Sequence, residues 1–215
     1  MVRKFIFFAL ILFTSLACSL TNLTSGNPDD EATPVDTAMW VAFVGRNVQM
    51  AAPPDDWILI PFNLTVALEQ QAELEELYPT VANVYRDLVL RFASKEDTRL
   101  VLLKRDGTAW MVVRYESLAQ TDSNTLLTAL QQTQRAEGNN PYDDETVTVQ
   151  GHETRRWKIA RSPSGSQIVN REWYHALPDG DDFYYIIFSA QGPDFPDYQP
   201  VFDAMMQTFQ ILNQE

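Results

Sequence analysis

The chain is poor in the residues that build most enzyme sites and most disulfide scaffolds. It has one cysteine, Cys18, so no intrachain disulfide can form and stability must come from a packed core. It has two histidines, His152 and His175. There is no H-E-x-x-H and no grouping of Cys and His at metal-ligand spacing, which argues against a zinc site. G-x-S-x-G and Gly-rich phosphate loops are also missing, so familiar serine hydrolases and nucleotide-binding folds find no support. Positive charge is scarce: 16 Lys and Arg stand against 29 Asp and Glu, a formal net charge of −13. Nucleic-acid binding depends on cations neutralising phosphates, and this balance opposes it.

What is present begins with a segment of clear polarity. Arg3 and Lys4 precede an unbroken apolar run, Phe5 to Phe13, followed by Thr14, Ser15, Leu16, Ala17 and Cys18. A basic start, a short apolar stretch and small residues at its exit read as a secretory signal peptide over residues 1–17. The run is too short to span a bilayer, which takes roughly 18 or more apolar residues. Its loss would remove two positive charges and take the formal charge from −13 to −15.

Leu16-Ala17-Cys18-Ser19 resembles the lipobox of bacterial lipoproteins, with the leucine one place later than usual and Ser15 in its customary position. The resemblance implies diacylglycerol on the Cys18 thiol and attachment to the extracytoplasmic side of a membrane by lipid alone. Ser15 and Ala17 also fit ordinary signal-peptidase cleavage, which would release a soluble secreted protein. Residues 18–38 read as a flexible polar linker, rich in Ser, Thr, Asn, Asp and Pro. Asn22-Leu23-Thr24 and Asn63-Leu64-Thr65 match a glycosylation sequon, a pattern common by chance.

Residues 39–215 form the expected domain, long enough for one good-sized core. Strands are expected at Met39 to Val44, Val48 to Ala52 and Trp57 to Ile60. Asp106-Gly107 predicts a hairpin between Arg99 to Lys104 and Ala109 to Tyr115. Further hairpins are expected from Thr146 to Ala160 and from Gln167 to Ala190, the last turning at Pro178 to Asp182. Glu137 to Asp144 reads as a polar loop. Helices are expected over Ala67 to Leu77, along the apolar face Val81, Val84, Tyr85, Leu88 and Phe92, and after Asp122 or Ser123 as cap. A last helix should start near Pro200. Hairpins interspersed with helices imply an α+β fold: a central, mainly antiparallel sheet flanked by helices.

The strand Val48-Gln49-Met50-Ala51-Ala52-Pro53 leading to Trp57, the long central hairpins and a closing helix that ends in Thr208-Phe209-Gln210 resemble the PsbP-like superfamily. That resemblance implies an α/β/α sandwich and a role in binding or assembly, with no cofactor and no catalysis. No metal or partner residue of that family can be placed on this chain.

Within the domain, Arg155, Arg156, Lys158, Arg161 and Arg171 concentrate positive charge in an acidic chain. They form a candidate docking patch for an acidic protein partner or a phosphorylated ligand, or else pair with carboxylates such as Glu153 and Glu172. Strand alternation puts Arg156 and Lys158 on one side and Arg155 and Trp157 on the other. Asp179-Gly180-Asp181-Asp182 lacks EF-hand spacing and reads as a hairpin tip. Ser162-Pro163-Ser164-Gly165-Ser166 reads as a loop. The sequence therefore favours a membrane-tethered binding module and leaves open an extracytoplasmic hydrolase of unfamiliar type.

Overall fold

In a computed structural model of the chain, the described residues are 35–118, 121–161 and 170–212. The signal segment, Cys18, Asn22, most of the linker and the Ser162 to Ser166 loop lie outside them. The described residues belong to one compact unit, Val35–Glu215.

Among the described residues, ten strands run in chain order. They are β1 Val41–Val44, β2 Val48–Ala52, β3 Trp57–Leu59, β4 Thr98–Lys104, β5 Ala109–Ser117, β6 Tyr142–Val149, β7 His152–Arg161, β8 Asn170–Asp179, β9 Asp182–Gln191 and β10 Gln210–Ile211. Four α-helices intervene: α1 Leu64–Leu77, α2 Pro79–Leu88, α3 Ser123–Ala136 and α4 Phe195–Thr208. A π-helical turn, Val89–Ala93, continues α2. Seven strands form one sheet in the order β3-β4-β5-β9-β8-β7-β6, every pairing antiparallel. A second sheet has the order β1-β2-β10.

The large sheet is covered on both faces, which is why β9 reads as the nearly continuous apolar run Phe183 to Phe188. One face carries Val101, Val112, Trp157, Tyr174, Tyr185 and Ile187 under α1, α2 and the π-turn, with Leu126, Leu127 and Leu130 of α3 packed at its margin. The other carries Leu100, Met111, Trp173, Leu177, Ile186 and Phe188 under α4 and β2. One covering layer is thus all helix and the other mixes a helix with a small sheet. The α+β class and the antiparallel core agree with the sequence reading.

Local differences have physical causes. Asn63 accepts hydrogen bonds from the amides of Thr65 and Val66, so the second sequon asparagine caps α1, which starts at Leu64. Asp122 caps α3 through Thr125. The last helix begins at Phe195, ahead of the expected start near Pro200: Pro196 sits in the first turn, where an amide has no intrahelical partner to lose, while Pro200 lies inside the helix and leaves the Pro196 carbonyl without its i→i+4 amide. It closes at Thr208, and Gln210 leaves it to pair with Gln49 of β2. β6 starts at Tyr142, inside the stretch read as a loop, because its acidic residues ladder against the cations of β7. Gly45 lies against Arg99, where a Cβ would stand 2.0 Å from the carbonyl oxygen, so the β1–β2 turn can dock on β4 only as glycine.

Candidate functional site

Of the five cations singled out in the sequence, the four on β7 are divided between the two faces of the sheet and matched to carboxylates. Arg155 grips Asp144 with two bonds of 2.5 and 2.7 Å. Those bonds hold the Asp144 carboxyl below the usual range. Arg156 reaches Glu145 of β6 at 2.7 Å and Asp203 of α4 at 3.1 Å. Lys158 meets Asp143 at 3.2 Å. Both Arg156 and Lys158 stand over the ring of Trp173, at 4.8 and 5.6 Å from its centre. Arg161 lies 3.5 Å from Glu137 and 3.4 Å from Glu172. Arg171 is exposed on β8, opposite Ala160. Three of the partners, Asp143, Asp144 and Glu145, come from the part of β6 that reads in the sequence as a polar loop. Glu153 makes none of these ion pairs, and Glu172 is buried rather than on a solvent face.

Glu172 anchors a network under the end of α3. Its Oε2 accepts a 2.8 Å bond from the Tyr174 hydroxyl. Tyr174 stacks on Trp157 at 5.2 Å, and Trp157 donates to the Oε1 of Gln134 at 2.8 Å. Burial and the neighbouring carboxylate push the Tyr174 hydroxyl well above its ordinary pKa. These contacts tie α3, β7 and β8 together.

The two histidines sit in opposite settings. His175 is 1% exposed and lies between Trp173 at 4.8 Å and Phe188 at 5.7 Å. Among the described residues neither ring nitrogen has a hydrogen-bond partner, and burial, reinforced by the Arg156 charge, pushes its pKa down to about 3. It is neutral at physiological pH and closed to solvent, so it cannot serve a substrate as base in this conformation. His152 is exposed at the start of β7.

His152 borders a cleft of about 330 Å³ lined by Val149, Gln150, His152, Leu177, Asp179, Phe209, Gln210 and Ile211. That volume lies at the small end of the range for ligand sites. Two hairpin tips make one wall. Gln150 and Gly151 turn β6 into β7 with positive φ, and Gly180 at φ +60° turns β8 into β9. Strand register places Leu177 beside Tyr184 and Asp179 beside Asp182. The other wall is β10. The Gln150 amide donates 2.7 Å to the Gln207 carbonyl and straps the β6–β7 tip to the end of α4. Val149, Leu177 and Phe209 are nearly buried and form an apolar floor, while Gln150, Gln210, His152 and Asp179 supply polar groups.

The Asp179 to Asp182 tip therefore borders a cleft as well as closing a hairpin. Asp182 accepts a 2.9 Å bond from the Tyr115 hydroxyl, and Arg99 stands over the Tyr115 ring at 4.3 Å. Among the described residues no cluster of three or more His, Cys, Asp or Glu is arranged to hold a metal. Sequence reasoning missed the cleft because its residues come from three turns and a two-residue strand. Only the hairpin tips left a local signal, as Gly151 and Asp179-Gly180.

A second cleft of about 310 Å³ lies on the opposite face, between α3 and the strands, lined by residues including Ser123, Leu127, Glu153, Arg155 and Phe183. Its cation, Arg155, is already held by Asp144.

No protein-family model matches the chain, and no curated protein matches it in sequence. Solved structures do match in fold. Cyanobacterial PsbP from Synechocystis sp. PCC 6803 is similar over 86% of this chain and 99% of its own, with 8% identity and a TM-score of 0.50. A protein from Bacteroides thetaiotaomicron is similar over 82% of this chain, with 9% identity and a TM-score of 0.49, and this chain spans 50% of its length. The Saccharomyces cerevisiae Ran-binding protein Mog1p is similar over 81% of this chain and 97% of its own, with 9% identity and a TM-score of 0.47. At such identities the likeness to cyanobacterial PsbP is one of fold, and the fold is PsbP-like.

Proposed function

We propose that the protein is an extracytoplasmic binding or assembly module, held to a membrane by lipid on Cys18, that takes its partner at the cleft beside β10. The observation that carries the binding role is that cleft: an apolar floor with polar groups at its edge, placed where turns from separate hairpins converge. The address rests on the N-terminal sequence. In this reading residues 1–17 are removed, residues 18–38 act as a spacer, and the domain from residue 39 works away from the bilayer surface. No helix among the described residues is long and apolar enough to cross a membrane. Two or three acyl chains on one cysteine hold firmly, since each buried CH2 contributes about 0.8 kcal/mol.

Two experiments test the reading. Cells fed a labelled fatty acid should label the wild-type protein and not Cys18→Ala, which should leave the membrane fraction or accumulate uncleaved. Unchanged labelling and retention in the variant contradict the tether. A photo-crosslinker at Gln210 should give a discrete adduct in the native envelope, and one at Arg171 should not. Equal yields at both positions contradict the cleft.

A further inference from the structure

The identity of the partner can be narrowed from β10 and the charges around it. This step rests on the cleft being the binding site. Among the described residues β10 pairs only with β2, Gln210 against Gln49 and Ile211 against Val48, and the Leu212 amide donates 2.8 Å to the Asn47 carbonyl. Groups along an antiparallel strand alternate in direction. Leu212 and Gln210 turn their backbone groups toward β2, so Ile211 turns its N–H and C=O away from it. Ile211 also lines the cleft. The outward row is therefore a strand edge that opens onto a cavity, the arrangement used when an extended peptide adds itself to a sheet.

Charge selects among occupants. Asp179 lies in the cleft and Asp181 is exposed at the same hairpin tip, and neither makes an ion pair among the described residues. The lining adds only His152 as a titratable base. The chain's own linker, residues 18–38, contains Asp29, Asp30, Glu31 and Asp36 and no Lys or Arg, and a second copy carries the same acidic excess, −13 over the full sequence and −15 without residues 1–17. Both would bring like charge to Asp179. We infer that β10 accepts an extended, basic segment of another protein, which pairs with the outward groups of Ile211, sets an apolar side chain on the floor formed by Leu177 and Phe209, and turns a lysine or arginine to Asp179.

The test uses the full chain and a fluorescent twelve-residue peptide of repeating Thr-Lys-Val-Lys, with the glutamate counterpart as control, followed by anisotropy. The lysine peptide should bind roughly tenfold or more tightly than the glutamate peptide. Ile211→Pro removes the outward amide at a position where the fold does not use it, so the protein should stay folded by circular dichroism and lose the peptide. Asp179→Asn should weaken binding about threefold, the scale of one exposed ion pair. Retained binding in Ile211→Pro, equal affinity for both peptides, or no binding by the wild type overturns the proposal. A concentration-dependent dimer abolished by Ile211→Pro overturns it in favour of a second copy. Loss of the lipid tether would leave this titration unchanged, so the two failures are separable.

Discussion

β7 and β10 both bring polar groups to the surface, and they differ in what they leave unsatisfied. β7 is dense with charge, yet Arg155, Arg156, Lys158 and Arg161 each meet a carboxylate. Arg156 and Lys158 also cover Trp173. β10 carries no charged side chain and only two residues, yet it turns a backbone edge toward a cleft bordered by Asp179, which makes no ion pair among the described residues. Surface charge already matched within the fold offers little to a partner, because breaking each pair offsets what a new one contributes. Unpaired backbone groups beside an apolar floor offer more. We therefore read β7 as a fastening of the fold and β10 as the site that meets a partner.

If β7 is a fastening, its neighbourhood should matter to stability, in graded amounts. Trp173→Ala empties a buried site beneath both cations and should cost about 3–5 kcal/mol in urea unfolding. His175 beside it should make stability depend on pH. Its folded pKa of about 3 lies below the ordinary 6.5, so the unfolded chain binds a proton first as pH falls. Stability is then lost below pH 6.5 by about 1.4 kcal/mol per pH unit, levelling off near the folded value. His175→Leu should show a shallower decline between pH 6.5 and 4.5 than the wild type, and parallel curves would contradict this burial. Arg156→Ala gives up two ion pairs and a ring contact, and should cost about 1 kcal/mol while leaving peptide affinity at the cleft unchanged. Asp179→Asn should reverse the pattern, with unfolding unmoved and peptide affinity reduced. A variant that moved stability and affinity together would dissolve the distinction between the two strands.

Much of the architecture was legible from alternation and turn chemistry. Asp106-Gly107 announced β4 and β5, and Asp179 with Gly180 announced β8 and β9, because two-residue turns demand such residues. The apolar face from Val81 to Phe92 marked α2 and the π-turn, since burial under a helix imposes its period. β6 was half hidden: Asp143, Asp144 and Glu145 look like loop residues until β7 lies opposite them. β10 left no trace, since two residues are too few for a period. The candidate patch was visible as a cluster of basic letters, but the carboxylates that answer it lie up to 47 residues away. The cleft needed three turns to be brought together, which is information held in the topology alone.

One measurement bears most directly on the contrast. Amide chemical shifts of the isotopically labelled full chain can be followed while the lysine peptide is added. We expect the changes to concentrate at Phe209 to Leu212, Val149 to His152 and Leu177 to Asp179, with Arg155 to Arg161 still. Changes centred on Arg155 to Arg161, with β10 unmoved, would contradict the assignment of β10 as the partner site.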